Sequence, residues 1–270
     1  MKISHRIGVD VDKALGQALE DLNISITAVP EISGTTSTTR MIVFDIYEDD
    51  PSWDAVQQLL QGHEPSDVAD AEFTSSEVRE ASWCGLFGPQ LGYPQPIDTF
   101  QTTTYDVSQR CASCRAGVVQ TAPFRLKKPT RWERRGLMQL HWVPGEVFVS
   151  RGLWSAVFEP AGVSHRPVAN RKGNVVDDVV QLVAEEEADV VVDEFERSDC
   201  GACGRSRYVQ GPGYLPAIDG AAPQCSLFRT RQLFGSGWET YQPLVVSRAI
   251  VNALLDSGRT GPAFVPLAGG

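Results

Sequence analysis

The stretch "RCASCRAG", residues 110–117, places Cys111 and Cys114 two residues apart in a chain of 270 residues that contains six cysteines. A second pair with this spacing occurs in "CGACGR", residues 200–205. A Cys-x-x-Cys turn brings two thiolates close enough to bind one metal ion, and two such turns supply the four sulfurs of a tetrahedral site. These two turns, called here the first and second knuckle, therefore decide how the chain is interpreted.

The knuckles predict one structural zinc ion bound by four thiolates. Gly204, directly after the second knuckle, favours the turn of the backbone toward the metal. The interval between the knuckles is much longer than the roughly 15 to 20 residues of compact zinc ribbons. A redox pair, an iron–sulfur cluster and a metal-free site are the alternatives. Since four cysteines leave no coordination position open, the zinc would stabilise the fold rather than catalyse a reaction. The predicted ligands are Cys111, Cys114, Cys200 and Cys203.

Other residues that could take part in catalysis or bind a metal show no catalytic pattern. No phosphate loop, nucleophile elbow or dinucleotide-binding glycine motif occurs in the sequence. The isolated cysteines stand beside apolar or proline-rich sequence and are expected to be buried and structural. The histidines are not at metal-binding spacing. The isolated cysteines are Cys84 and Cys225, and the histidines are His5, His63, His141 and His165.

The part of the chain that carries the knuckles repeats itself. "VFVSRGLWSAVFEPAG" (147–162) is matched by "LVVSRAIVNALLDSG" (244–258), and each segment follows a knuckle. Both patterns predict a strand followed by a helix. We interpret Ser150 and Ser247 as N-caps of these helices rather than as catalytic serines. We interpret residues 105–268 as a duplicated unit.

Residues 1–100 are predicted to form a small α/β region. Its polar segment "GHEPSDVADA" (62–71) reads as a linker, and a capping-box spacing at Thr74 predicts a helix up to about Trp83. The fold class is therefore α+β: a small N-terminal α/β region followed by a pseudo-duplicated, zinc-ribbon-like α+β domain. The remaining elements are predicted as helices over residues 13–23 and 50–62, strands over 24–32 and 40–48, two strands within 174–195, and an aromatic loop near a knuckle at 234–243.

The charge balance limits the classes of partner. Lys and Arg number 24 against 34 Asp and Glu, so the net charge is −10 and the isoelectric point is near 4.9. This disfavours a general nucleic-acid binder and suits a solvated enzyme, a scaffold or a protein whose partner is basic. The sequence shows no apolar run of signal-peptide or membrane-spanning length, so we expect a cytoplasmic protein without a membrane partner.

One basic segment, "RLKKPTRWERRG" (125–136), supports an alternative function. Basic residues interleaved with an aromatic side chain can bind single-stranded nucleic acid. A second interpretation of this segment is a solvated, salt-bridged loop or hairpin without a binding role. A third interpretation is a docking patch for an acidic partner. The candidate contact residues are Arg125, Lys127, Lys128, Arg131, Trp132, Arg134 and Arg135.

The order of knuckle and Val-Ser-Arg helix, each occurring twice, resembles the bacterial double-CXXCG motif proteins, some of which are immunity proteins against a toxin. The similarity covers about residues 105–268. The second knuckle fits the family motif, whereas Arg115 follows the first knuckle where glycine is expected. The resemblance implies that the four knuckle cysteines bind zinc and that the protein acts by binding.

We therefore expect a non-catalytic protein-binding module, in particular an immunity protein that neutralises a cognate toxin such as a basic nuclease. A zinc-ribbon nucleic-acid binder that uses residues 125–136 is the alternative. An enzyme with its site between the N-terminal region and the duplicated domain is the third hypothesis.

Overall fold

The computed structural model describes two compact units. The described residues are 1–11, 13–28, 40–95, 97–235 and 240–269. They are mostly strand with few helices, in agreement with an α+β fold. The sequence pattern placed a boundary between residues 100 and 105, whereas residues 75–100 pack within the second unit. The first unit comprises Met1–Thr74 with Gly211–Gly213, and the second Ser75–Gln210 with Tyr214–Gly270.

The first unit is a four-stranded antiparallel sheet with two helices. Its strands stand in the order β2-β3-β1-β4, so the longest strand, β1, lies inside the sheet. The predicted helices and the strand over 40–48 are confirmed, whereas residues 29–39 lie outside the described part of the chain. The elements are β1 (Lys2–Val11), α1 (Lys13–Asp21), β2 (Thr27–Ala28), β3 (Arg40–Tyr47), α2 (Trp53–Leu59) and β4 (Ser66–Glu72).

Alternation along the strands builds the core of this unit. Buried apolar side chains alternate with more exposed ones at Ile7 and Val9 of β1 and from Ile42 to Ile46 of β3, because successive residues of a strand point to opposite faces. The helices contribute an apolar face to the same cluster. The buried residues are Ile7, Val9, Leu15, Leu19, Ile42, Phe44, Ile46, Val56 and Leu60.

The prediction of a polar linker over residues 62–71 is wrong for most of this segment, because strand β4 begins at Ser66. Strand β4 pairs with β1 along its length, with Lys2 opposite Glu72 and Gly8 opposite Ser66. This strand lies at the edge of the sheet and its side chains are mostly exposed. An edge strand buries few side chains, so its sequence lacks the apolar alternation by which strands are recognised.

The second unit contains sheets of six, five, three and two strands. Its helices are few, and no described helix is long and apolar enough to cross a membrane. The predicted helix at Thr74 ends earlier than expected, and Trp83 begins a strand. The elements are α3 (Ser75–Glu80), β5 (Trp83–Phe87), β6 (Gln90–Gly92), α4 (Ile97–Thr104), β7 (Tyr105–Asp106), β8 (Val119–Gln120), β9 (Arg125–Leu126), β10 (Leu137–Leu140), β11 (Val143–Ser150), α5 (Arg151–Leu153) continuing as a π-helical turn (Trp154–Phe158), β12 (Ser164–Asn170), β13 (Val175–Val183), β14 (Glu187–Ala188), β15 (Glu196–Asp199), β16 (Ser206–Val209), β17 (Leu227–Thr230), β18 (Leu233–Phe234), β19 (Leu244–Ser247), α6 (Arg248–Asp256) and β20 (Ala263–Pro266).

The two larger sheets each have their own core. The six-stranded sheet has the order β6-β10-β11-β13-β12-β9 and the five-stranded sheet the order β14-β17-β19-β5-β20. Phe124 and Phe148 meet edge to face in the first core, with ring centroids 5.4 Å apart. Trp83 and Phe228 meet in the second, with centroids 5.1 Å apart. Aromatic pairs in this arrangement add to the stabilisation from burial.

The two Val-Ser-Arg segments both run from an internal strand into a helix, but their serines differ. Ser150 ends β11, and its hydroxyl oxygen accepts a hydrogen bond from the N–H of Leu153 at 3.2 Å. Ser247 ends β19, and its hydroxyl oxygen is buried without a hydrogen-bond partner among the described residues. Both serines therefore occupy the predicted N-cap position, but only the side chain of Ser150 caps its helix with a hydrogen bond.

This difference makes the serines a matched pair for substitution. Ser150→Ala removes a helix cap and is expected to lower the free energy of unfolding by about 1 kcal/mol. Ser247→Ala removes a buried hydroxyl that has no partner, so we expect stability to be unchanged or to rise. Urea denaturation of both variants measures the difference. Equal losses in the two would contradict the assignment.

Candidate metal centre

The two knuckles have the same backbone hydrogen bonds. The N–H of Arg115 donates to the carbonyl of Cys111 at 2.9 Å, and the N–H of Gly204 donates to that of Cys200 at 2.8 Å. In each turn the N–H of the first cysteine also donates to the carbonyl five residues later, at 2.9 and 3.0 Å. These bonds close the chain around the cysteines, so both side chains of each knuckle can point to one place.

The residue after each knuckle has a left-handed backbone. Gly204 has φ of +72°, as expected for a glycine at this turn. Arg115 has φ of +60° at the equivalent position, although it carries a side chain. The left-handed conformation costs a residue with a Cβ atom about 1 to 2 kcal/mol. The first knuckle thus has the shape of the second, at a cost that glycine would avoid.

The four sulfurs of the knuckles converge. The sulfur of Cys111 lies 3.7 Å from that of Cys200, and the sulfur of Cys114 lies 3.7 Å from that of Cys203. All four sulfurs lie within 4.8 Å of one another. A tetrahedron with metal–sulfur bonds of about 2.3 Å has edges of about 3.8 Å. The spacing therefore fits a single metal ion held by the four predicted ligands.

Local structure controls the protonation of these thiols. Backbone N–H groups of Ala202 and Cys203 donate to the sulfur of Cys200 and lower its pKa to about 6. The N–H groups of Cys114 and Ser113 lower the pKa of Cys111 in the same way. Burial raises the pKa of the Cys114 thiol to about 11. A metal ion that binds all four must displace protons, most of all from this buried thiol.

The geometry separates the alternatives for the knuckles. All four knuckle cysteines are free thiols, and the 3.7 Å between the sulfurs of Cys111 and Cys200 is far longer than the roughly 2.05 Å of a disulfide bond. Two independent redox pairs would not need to share one centre. In a multi-iron cluster, cysteines bind different iron atoms and stand farther apart than ligands of one ion. The four cysteine sulfurs are therefore arranged to bind one metal ion, and several metal ions accept four thiolates.

The remaining predictions for this region concern the isolated cysteines and the aromatic loop. Cys84 is fully buried, and burial raises its pKa to about 11. Cys225 is only partly buried, against the core of the five-stranded sheet. Residues 236–239 of the aromatic loop lie outside the described part of the chain. The hydroxyl of Thr240 donates to the carbonyl of Cys114 at 3.4 Å, so the loop does pack near a knuckle.

The basic segment over residues 125–136 is an extended loop that begins with the short strand β9. Its aromatic side chain packs against the core of the six-stranded sheet. The indole N–H of Trp132 donates to the carbonyl of Asp178 at 3.2 Å. Trp132 therefore anchors the loop, and most of its basic neighbours, including Arg131, are exposed. The predicted stacking of nucleic-acid bases on this side chain has no support in its surroundings.

Sequence reasoning missed a cavity of about 720 Å³ in the second unit. Arg115, Ala116, Gly117 and Arg205, which follow the knuckles, form part of its wall. Other lining residues come from strands and loops spread between residues 101 and 242. No spacing motif connects such positions, and the only hint in the sequence is an arginine just after each knuckle.

Similarity to known proteins does not extend this description. No family model, curated protein or solved structure matches the chain. Any functional conclusion must therefore come from the knuckles, the cavity and the charges of the chain itself.

Reactivity with N-ethylmaleimide tests the metal centre. Burial raises the pKa of Cys225, so its thiol stays protonated when the pH of the labelling reaction lies below that pKa. We therefore expect Cys225 to react slowly in the metal-loaded protein. Adding a chelator should make four more cysteines reactive, and Cys84 should react only after denaturation. Mass spectrometry of the labelled peptides identifies each site. Rapid labelling of Cys111 and Cys200 before chelation would contradict metal binding there.

Proposed function

We propose that the protein is a non-catalytic binding module whose second unit is held together by one structural zinc ion. The convergence of four cysteine sulfurs supports this proposal most directly. Four thiolates complete the tetrahedral shell of zinc and leave no position for a substrate or an activated water. Zinc also carries no redox chemistry. The metal would therefore stabilise the fold, and the function would lie elsewhere on the protein.

We further propose that residues 105–268 arose by duplication, with each copy supplying half of the metal shell. The matching hydrogen bonds of the two knuckles support this. So does the order of elements, because each knuckle is followed by an internal strand that enters a helix after a serine. The paired sulfur distances of 3.7 Å agree with an arrangement related by a twofold axis.

The partner that we propose is another protein, and the specific role is that of an immunity protein that occludes a toxin. The net charge of −10 supports a basic partner such as a nuclease. Complementary charge accelerates association and favours the correct partner. The resemblance of the knuckles and Val-Ser-Arg helices to double-CXXCG proteins points to the same role.

Metal analysis tests the zinc centre. Protein purified without added metal should contain one zinc ion per chain. The double variant Cys111→Ser, Cys200→Ser should lose the zinc and much of its solubility, because structural zinc contributes to folding. Cys225→Ser is the matched control and should retain the metal. Iron with visible absorbance, or no metal with an unchanged fold, would contradict the proposal.

A growth assay tests the immunity role. Each gene adjacent to that of this protein is expressed alone and together with it. We expect one neighbour to arrest growth, this protein to restore growth, and the two products to purify as a complex whose association slows with salt. The zinc-free double variant should not protect. If no neighbouring product is toxic, or if protection occurs without binding, the proposed role is wrong.

A further inference from the structure

The cavity beside the knuckles has a charge opposite to that of the whole chain. Acidic residues outnumber basic residues by ten overall. The cavity is lined by two carboxylates, Glu146 and Glu187, against six guanidinium groups. These belong to Arg110, Arg115, Arg166, Arg205, Arg229 and Arg231. Such a concentration of arginine in an acidic protein favours an anion inside the cavity.

Only some of these arginines are neutralised by the protein. Arg229 forms an ion pair with Glu146 at 2.8 Å, and Arg231 pairs with Glu187 and Asp189. Within the described ranges, Arg110, Arg166 and Arg205 form no ion pair with a carboxylate. Arg110 and Arg166 donate instead to the neutral side chains of Gln101 and Gln120. These three positive charges remain available to a ligand.

A buried polar network holds two of the arginines in place. Gln181 is 1% exposed, and its amide nitrogen donates to Glu146 at 2.7 Å and to Gln120 at 2.8 Å. Gln120 accepts from Arg166 at 2.9 Å, and Glu146 accepts from Arg229. The network therefore connects guanidinium groups across the wall of the cavity. Side chains fixed in this way lose little entropy when a ligand binds.

Backbone strain is concentrated at the same cavity. Among the described residues, four that are not glycine have a left-handed backbone, and two of them line the cavity: Arg115 at φ +60° and Trp142 at φ +67°. Trp142 is 58% exposed, so burial does not explain its position. Strained residues of this kind are frequent at ligand-binding sites.

Gly117 lies close to Arg205. It has φ of +95°, and a Cβ atom there would lie 2.4 Å from the carbonyl oxygen of Gln109 and 3.1 Å from a guanidinium nitrogen of Arg205. The backbone of Gln109 therefore requires glycine at this position, and the missing side chain also leaves space for the guanidinium. Each knuckle thus contributes an arginine to the wall, Arg115 from the first and Arg205 from the second.

We propose that this cavity binds a nucleoside polyphosphate, with the phosphates on the arginines and the base against Trp142. Guanidinium groups bind phosphate oxygens through paired hydrogen bonds, and an exposed indole offers a face on which a base can stack. A volume of about 720 Å³ is suitable for a ligand of this size. The acidic remainder of the chain disfavours a long nucleic-acid strand.

Isothermal titration calorimetry of the full, metal-loaded chain with ADP and with pyrophosphate tests the proposal. We expect both to bind at low salt and ADP to bind more tightly. Trp142→Ala should weaken ADP at least tenfold and leave pyrophosphate unchanged. Arg166→Ala should weaken both at least tenfold, because it removes one of the three guanidinium groups that form no ion pair with a carboxylate among the described residues.

The controls separate ligand binding from folding and from overall charge. Arg131→Ala removes one exposed arginine outside the cavity and should leave both affinities unchanged. Metal content is measured for every variant. The proposal is overturned if neither probe binds at low salt, if Arg166→Ala binds like the unsubstituted protein, or if that variant loses its metal. It is also overturned if a 5′-phosphorylated oligonucleotide binds ten times more tightly than ADP. These outcomes leave the zinc and immunity proposals to their own tests.

Discussion

The convergence of four cysteine sulfurs on one point constrains the second unit more than any other interaction. The two knuckles lie 89 residues apart in sequence, and sulfurs from each approach to 3.7 Å. Without a cation, deprotonated sulfurs at this distance would repel one another strongly. The backbone nevertheless holds both turns in the same shape through its own hydrogen bonds. The protein thus provides the geometry, and a bound cation would provide the attraction.

This constraint also shapes the surface next to the metal centre. Two of the six arginines of the cavity, Arg115 and Arg205, follow the knuckles, so the position of the knuckles helps to set the position of these two residues. The left-handed backbone at Arg115 has a conformational cost that a glycine would avoid, as Gly204 does in the second knuckle. The proposed anion site would use the guanidinium, which a glycine would not provide.

The sequence predicted the parts of the protein whose chemistry is local. The cysteine ligands follow from a spacing within each turn, and the first helix follows from apolar residues three or four apart. Prediction failed where neighbours in space decide the outcome. Strand β4 looks like a linker because its partner β1 supplies the pairing and solvent covers its side chains.

The same reason explains two further differences. Ser150 and Ser247 occur in nearly identical segments, but only Ser150 accepts a hydrogen bond from the helix that follows it. The arginines of the cavity come from positions between residues 110 and 231, and only the folded sheets bring them together. The spacing of these arginines in the sequence therefore does not predict that they line one cavity.

The strand order of the second unit has a consequence for its synthesis. All strands of the six-stranded sheet lie between residues 90 and 183, so this sheet can form before Cys200 leaves the ribosome. Strand β5 instead pairs with β19 and β20, which follow all the other strands of the second unit in sequence. Until these two strands are synthesised its edges are unpaired, and unpaired strand edges promote aggregation. The nascent chain therefore brings its four knuckle cysteines together and completes its five-stranded sheet only after the six-stranded sheet has been synthesised.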